Sequence, residues 1–204
     1  MNYPTLEDCM DRYAKILLLD RYKQTLESKD WWDSTNFVRL NGYATSPNYT
    51  ISLRNLILNE KLYELDWFHG FNEDIIPGGN FQWGESFSNV FFNGRKYYNV
   101  IEPYKEYWQN VINLAMLLQT CRDYAKAPMT VNRWFSIPDY NAYIGGAKGS
   151  QHLYALAADC AKPRTIKIGQ FFDFVKKSIA IGIGVGKYYL HIDIRKGLRL
   201  IWYY

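Results

Sequence analysis

Between 189 and 195 the sequence alternates without a break: Tyr189, Leu190, His191, Ile192, Asp193, Ile194, Arg195. A period of two belongs to a strand, so Leu190, Ile192 and Ile194 share one face while His191, Asp193 and Arg195 share the other. An apolar face for the core and a polar face for chemistry on one strand is what a site held by a rigid element requires. By strand rise, the Cα atoms of His191 and Asp193 stand ~6–7 Å apart, close enough to serve one water or substrate group. The chain has only three histidines, and a second one, His152, lies in the stretch 145–159 that ends on Asp159. Two imidazoles with a nearby carboxylate form the ligand set of a zinc site whose fourth position stays open for water.

The spacing within 145–159 limits how it can fold. On one straight helix His152 and Asp159 would share a face yet stand ~10 Å apart along the axis. Zinc bonds are only ~2.0–2.2 Å long, so a single ion could not hold both. Ala155-Leu156-Ala157-Ala158 therefore reads as a strand entering the core, with His152 in the loop or turn before it.

Other classes recede on composition. Cys9, Cys121 and Cys160 contain no CxxC pair, which excludes a thiolate-only zinc site and a disulfide framework. They read as free thiols in a reducing compartment. A net charge of +4 with scattered lysines and arginines argues against a nucleic-acid partner. No apolar run approaches the ~20 residues of a membrane span. The segment 1–8 lacks the basic and apolar regions of a secretory signal.

Taken in order, Thr5 and Asp8 suggest a helix start, and helical spacing of apolar residues runs to about Ser28. From 31 to 101 the pattern breaks into short aromatic and β-branched runs, so 1–99 is expected to be an aromatic-rich region with one helix and β structure. Asn93-Gly94 between aromatic runs predicts a tight hairpin. His69 reads as an ordinary packed histidine. A helix is expected over 103–126, opened by Pro103 and stopped before Pro128. A strand follows over 129–134, a turn at 137–141, and a short helix over 169–178. Ile183-Gly184-Val185-Gly186 reads as a flexible approach to a last hairpin made by 187–195 and 198–203.

The string Gly145-Gly146-Ala147-x-x-Ser150-Gln151-His152-Leu153-x-x-x-Ala157-Ala158-Asp159, with Gly182-Ile183-Gly184-x-x-x-Tyr188-x-x-His191-x-Asp193-x-Arg195, resembles the zinc D-alanyl-D-alanine carboxypeptidases and related phage peptidoglycan peptidases. Their superfamily also holds lysostaphin-type enzymes and the hedgehog signalling domain. Pro128-Met129-Thr130-Val131-Asn132 and Pro138-x-Tyr140-Asn141 fit the family's lead-in. The resemblance covers roughly 100–204, the expected peptidase domain. It implies an α+β fold, a small antiparallel sheet with packed helices around one zinc site, after the N-terminal region 1–99.

Position by position, the resemblance makes His152, Asp159 and His191 the zinc ligands, with Ser150 flanking the site. Asp193 is the candidate for the catalytic carboxylate that takes a proton from water, with pairing to Arg195 or orienting of His191 as its alternative. Arg133, Ser150 and Arg195 are candidate substrate-binding residues. The sequence departs from the family at three places. Ala155 stands where many members have glycine. Ser136 stands where many carry an arginine for a substrate carboxylate, which leaves Arg133 as the substitute. Tyr188 stands where several branches have an acidic residue.

The resemblance implies a zinc-dependent peptidase that cleaves stem or cross-link peptides of peptidoglycan. The setting it suggests is a phage endolysin or virion-associated lysin, made in the host cytoplasm and acting at the cell wall. The alternative is a phage tail or baseplate structural protein whose peptidase-like domain is weakly active or inactive, with the first half as its assembly surface and neighbouring virion proteins as partners.

Overall fold

The structure, a computed structural model, describes residues 5–204. The first four residues of the segment that lacks signal character lie outside that range. The chain forms two compact units, Met1–Asp66 and Trp67–Tyr204. The second begins well before the boundary expected near residue 99, because the hairpin over 88–101 packs with residues C-terminal to it, the segment 138–143 among them.

The first unit is helical. Its helix α1 (Leu6–Leu17) is capped by Thr5, whose hydroxyl accepts from Asp8 N–H at 3.1 Å. The helix stops at Leu17 instead of running to Ser28. A straight continuation would carry Tyr22 about 140° around the axis from Leu17. A break at Leu18–Leu19 lets Tyr22 turn fully inward before the short helix α2 (Lys23–Leu26). Helices α3 (Trp31–Leu40) and α4 (Tyr49–Asn59) then replace the expected β runs. Aromatic and β-branched side chains suit either structure. What decides for α3 is that Trp31, Trp32, Thr35 and Val38 bury one helical stripe, with Asp30 capping the first turn through Asp33 N–H at 2.9 Å.

The second unit opens with α5 (Trp83–Ser86) and the hairpin of β1 (Ser88–Phe92) and β2 (Arg95–Ile101). Its turn residues Asn93 and Gly94 have φ of 50° and 72°, as a tight primed turn requires. Helix α6 (Trp108–Ala125) follows, burying Val111, Leu114, Ala115, Leu117, Leu118, Cys121 and Ala125. Lys126, left-handed at φ 50°, ends it two residues before Pro128. Next come β3 (Val131–Arg133), the short helix α7 (Pro138–Tyr143) in place of the expected turn, β4 (Ala157–Ala161) and α8 (Ile168–Lys176). Strands β5 (Gly182–Val185), β6 (Tyr189–Asp193) and β7 (Leu200–Tyr203) complete the fold.

Five strands form the sheet that carries the polar face, in the order β3-β4-β6-β5-β7. The fold is α+β, as expected, and every pairing in this sheet but one is antiparallel. Two C-terminal expectations change. The glycine-rich 182–186 is mainly strand β5, not a flexible approach. And β7 makes no hairpin with β6. Both edges of β6 are already paired, with β4 and β5, so β7 passes to the open edge of β5 and lies parallel to it. Arg199 fixes that passage by donating to the carbonyls of Lys176, the last residue of α8, and Ser178 just beyond it, at 2.5 and 2.9 Å.

Candidate metal centre

One cross-strand row positions most of the site. Arg133 on β3 is opposite Asp159 on β4, Asp159 is opposite His191 on β6, His191 is opposite Gly184 on β5, and Gly184 is opposite Trp202 on β7. Directly opposed residues point to the same face of a sheet. His152 comes to that face from a short 3-10 turn (Gln151–Tyr154) that ends on Ala155 at φ 54°. Glycine adopts that left-handed backbone without a Cβ penalty, which is on the order of 1–2 kcal/mol for a residue such as Ala155.

His152 is fully buried and held from two sides by the segment after β3. Its Nδ1 lies 2.6 Å from the Trp134 carbonyl, and Ser136 N–H donates to the His152 carbonyl at 3.0 Å. A carbonyl can only accept, so Nδ1 carries the proton and Nε2 presents a lone pair. On His191, Nε2 lies 3.3 Å from Asp193 Oδ2, while Nδ1 faces Asp159 Oδ1 at 2.9 Å and His152 Nε2 at 3.2 Å. His152 Nε2 and Asp159 Oδ1 close the triangle at 3.3 Å.

These three atoms fit a metal ion. Ligands on a tetrahedral zinc, at bonds of ~2.0–2.1 Å, are ~3.3 Å from one another. The observed edges are 2.9, 3.2 and 3.3 Å. With protons on His152 Nδ1 and His191 Nε2, the triangle presents three acceptors and no donor. A proton on His191 Nδ1 would relieve one edge, whereas a cation at the centre relieves all three. His152, Asp159 and His191 can thus hold a metal ion.

The titration behaviour of the two imidazoles differs. Burial pushes the His152 imidazole below its ordinary value and so keeps it neutral, outweighing nearby Asp159. Burial also opposes charge on Asp159, but the neighbouring imidazoles of His152 and His191 and the Arg133 guanidinium hold its carboxyl well below the usual range. At His191, burial is outweighed by the carboxylates of Asp159 and Asp193, which raise the imidazole.

Asp193, expected as the proton acceptor for water, has a different place. Its side chain is wholly buried and touches His191 at Nε2, the nitrogen turned away from the triangle. Oδ1 accepts from Gly182 N–H, Arg195 N–H and Arg195 Nε at 3.1, 3.1 and 2.8 Å, and Arg195 Nη2 bonds Oδ2. Burial raises its pKa, but these hydrogen bonds and the arginine's charge outweigh it and hold the carboxyl below its ordinary range. Asp193 thus stands on the side of His191 from which a carboxylate can orient an imidazole.

The remaining candidates separate. Arg133 Nε donates to Asp159 Oδ2 at 2.9 Å, so it braces a ligand directly. Arg195 braces Asp193. Ser150 heads the turn that carries His152, and no hydrogen bond among the described residues ties its hydroxyl to the triangle. Ser136 is buried, its hydroxyl unpartnered, and it cannot reach substrate as an arginine there would. His69 is stacked on Trp83 with ring centroids 3.7 Å apart and bonded to Glu102 at 2.5 Å, the packed histidine expected.

Sequence reasoning missed two features of the site. One is the Trp134 carbonyl, a backbone group that no residue pattern announces. The other was visible as a pattern: Gly182, Gly184 and Gly186 alternate on the site's face of the sheet. A Cβ at each would lie 2.0 Å from Asp193, 2.7 Å from Trp202 and 2.2 Å from Tyr189, respectively. The three glycines clear one face of β5 so that neighbouring side chains can lean across it.

Residues 96–195 match the family model for Peptidase M15. That segment is a peptidase M15 domain. The matched segment begins in β2 and ends at Arg195, so it holds all three ligand candidates and both arginines. No curated protein matches the chain. M15 peptidases are zinc enzymes, and this chain's His152, Asp159 and His191 form a cluster that could hold such an ion. Among its described residues no helix is long and apolar enough to cross a membrane.

Proposed function

We propose that this M15 protein is a zinc-dependent peptidase that hydrolyses stem or cross-link peptides of peptidoglycan. The observation that carries the reading is the triangle of His152 Nε2, His191 Nδ1 and Asp159 Oδ1, whose edges of 2.9 to 3.3 Å match the separation of ligands about one ion. His152, Asp159 and His191 would hold the zinc, which supplies an acidified water and polarises the scissile carbonyl.

The chain's own residues supply the geometry. The Trp134 carbonyl and Asp193 fix the two imidazoles from behind, so that each presents its unprotonated nitrogen. Arg133 holds Asp159 ionised and stops it rotating out of the triangle. With Nε engaged there, the terminal guanidinium nitrogens of Arg133 remain to meet a carboxylate of the peptide. Arg195 neutralises Asp193 and sets the guanidinium border on the opposite side of His191. Ser150 completes the rim through the turn that presents His152.

The setting we propose is a phage endolysin or virion-associated lysin acting on the bacterial wall. It rests on the likeness of the 145–195 motif string to phage peptidoglycan peptidases. A zymogram on purified cell walls tests both parts. The zinc-loaded chain should clear the wall, and His152→Ala should abolish clearing together with bound zinc. Incorporation into particles with no clearing would replace the lysin by a virion structural protein.

A further inference from the structure

The row through the metal centre ends on Trp202, beyond the segment matched to the family. The indole lies across β5 in the space a side chain at Gly184 would fill, with a Cβ there only 2.7 Å from its ring. Its centroid is 5.1 Å from the His191 ring, at 51° between planes, and 5.8 Å from the Arg195 guanidinium carbon. Trp202 is only half-buried, whereas Trp134 and Trp83 are core residues of the same unit. A glycine in a strand costs stability because it packs nothing, and often marks a place where another group approaches closely. Here the group it admits is an aromatic ring laid against a ligand histidine.

The order along the row gives the site a direction. Arg133, Asp159, His191, Gly184 and Trp202 succeed one another across five strands, so the triangle has a guanidinium on its β3 side and an indole on its β7 side. The indole leans across Gly184 to within 5.1 Å of the His191 ring, and an extended peptide advances ~3.4 Å per residue. A peptide laid across the strands with its scissile carbonyl at the triangle therefore sets a flanking residue over the indole. The part of the indole left uncovered is apolar and gains from packing on an aliphatic side chain.

We propose that Trp202 is a substrate-binding, specificity-determining residue: its indole walls the cleft on the β7 side and packs on the aliphatic side chain of a peptide residue flanking the scissile bond. This rests on the peptidase reading above.

The test uses the zinc-loaded full chain and synthetic stem peptides with glycine, D-alanine or D-leucine at each flanking position in turn. At one position the parent should prefer D-alanine to glycine by about tenfold in kcat/KM, the selectivity a methyl group earns in an apolar site. In Trp202→Ala that preference should fall to near unity while bound zinc stays at the parent's level. Trp202→Phe should keep part of the preference, between the other two. An unchanged preference in Trp202→Ala overturns the inference, and so does an equal loss on every peptide accompanied by loss of zinc, which would make Trp202 structural. Should Trp202→Ala fail to fold, an unchanged preference in Trp202→Phe overturns it equally. If the parent cleaves none of the peptides, the peptidase reading falls and takes this inference with it. Cleavage with preferences indifferent to residue 202 removes the inference alone.

Discussion

In the unit ending at Asp66, Thr35 is buried, yet its hydroxyl donates to the Trp32 carbonyl at 2.7 Å and accepts from Arg54 Nε at 3.0 Å. Arg54 also donates to the Trp32 carbonyl at 2.8 Å and lays its guanidinium 3.7 Å from the Trp32 ring centroid. There each polar group meets its complement, donor to acceptor and cation to ring. In the unit from Trp67 the buried polar groups of the row do the reverse. Asp159 and the two imidazoles turn acceptors toward one another, and their donors are used on the outside, at Trp134 and Asp193. Burying acceptors against acceptors is costly without a cation between them. Buried polarity that satisfies itself holds a fold together, and buried polarity that converges unsatisfied marks a site.

The contrast is broken most sharply at the triangle. Asp159→Ala or His191→Ala should cost bound zinc and at least a thousandfold in wall hydrolysis, read by metal analysis and turbidity clearing. Thr35→Val should leave both untouched while lowering stability by about 1–2 kcal/mol in urea unfolding. Zinc loss in Thr35→Val, or retained zinc in Asp159→Ala, would end the distinction between the units.

A smaller effect is expected one shell out. Asp193→Asn should weaken zinc binding roughly 10- to 100-fold, because the amide no longer fixes the His191 tautomer. Competition with a chromophoric chelator measures it, and parent-like affinity would show that Asp193 does not position the ligand. Gly182→Ala places a Cβ 2.0 Å from the same carboxylate. It should lower stability by about 1–3 kcal/mol in urea unfolding, with zinc affinity following Asp193→Asn in direction.

The smallest effect concerns the thiols. Burial pushes the Cys121 thiol up to about 12 and Cys160 well above its ordinary value. A thiol titrates to its reactive thiolate as pH rises through its pKa, so at pH 8 Cys121 is ~10⁻⁴ thiolate. Alkylation of the native chain at pH 8 should modify Cys9, which is partly exposed, and leave the other two until urea is added. Rapid modification of Cys160 in the native state would mean that β4 opens, and the site with it.

Much of the second unit was legible beforehand, for identifiable reasons. The alternation over 189–195 is a strand wherever it sits, and Asn93-Gly94 accepts the positive φ of a tight turn. Helix α6 keeps its period over five turns. The first unit was misread because Trp31-Trp32 and Val38 satisfy strand and helix preferences alike, and only burial of one stripe separates them.

The three ligand candidates also came from sequence, through the resemblance of the 145–195 motif string to the zinc peptidases. What the sequence alone could not determine was which nitrogen each imidazole offers. A carbonyl 18 residues away settles that for His152, and for His191 the cross-strand neighbours turn Nδ1 toward the triangle and Nε2 toward Asp193. Nor could it place β7, because strand order depends on which edge is free once the others have paired. Local preference acts over a few residues along the chain, and hydrogen-bond direction and sheet order are decided by groups distant along the chain that meet only when it folds.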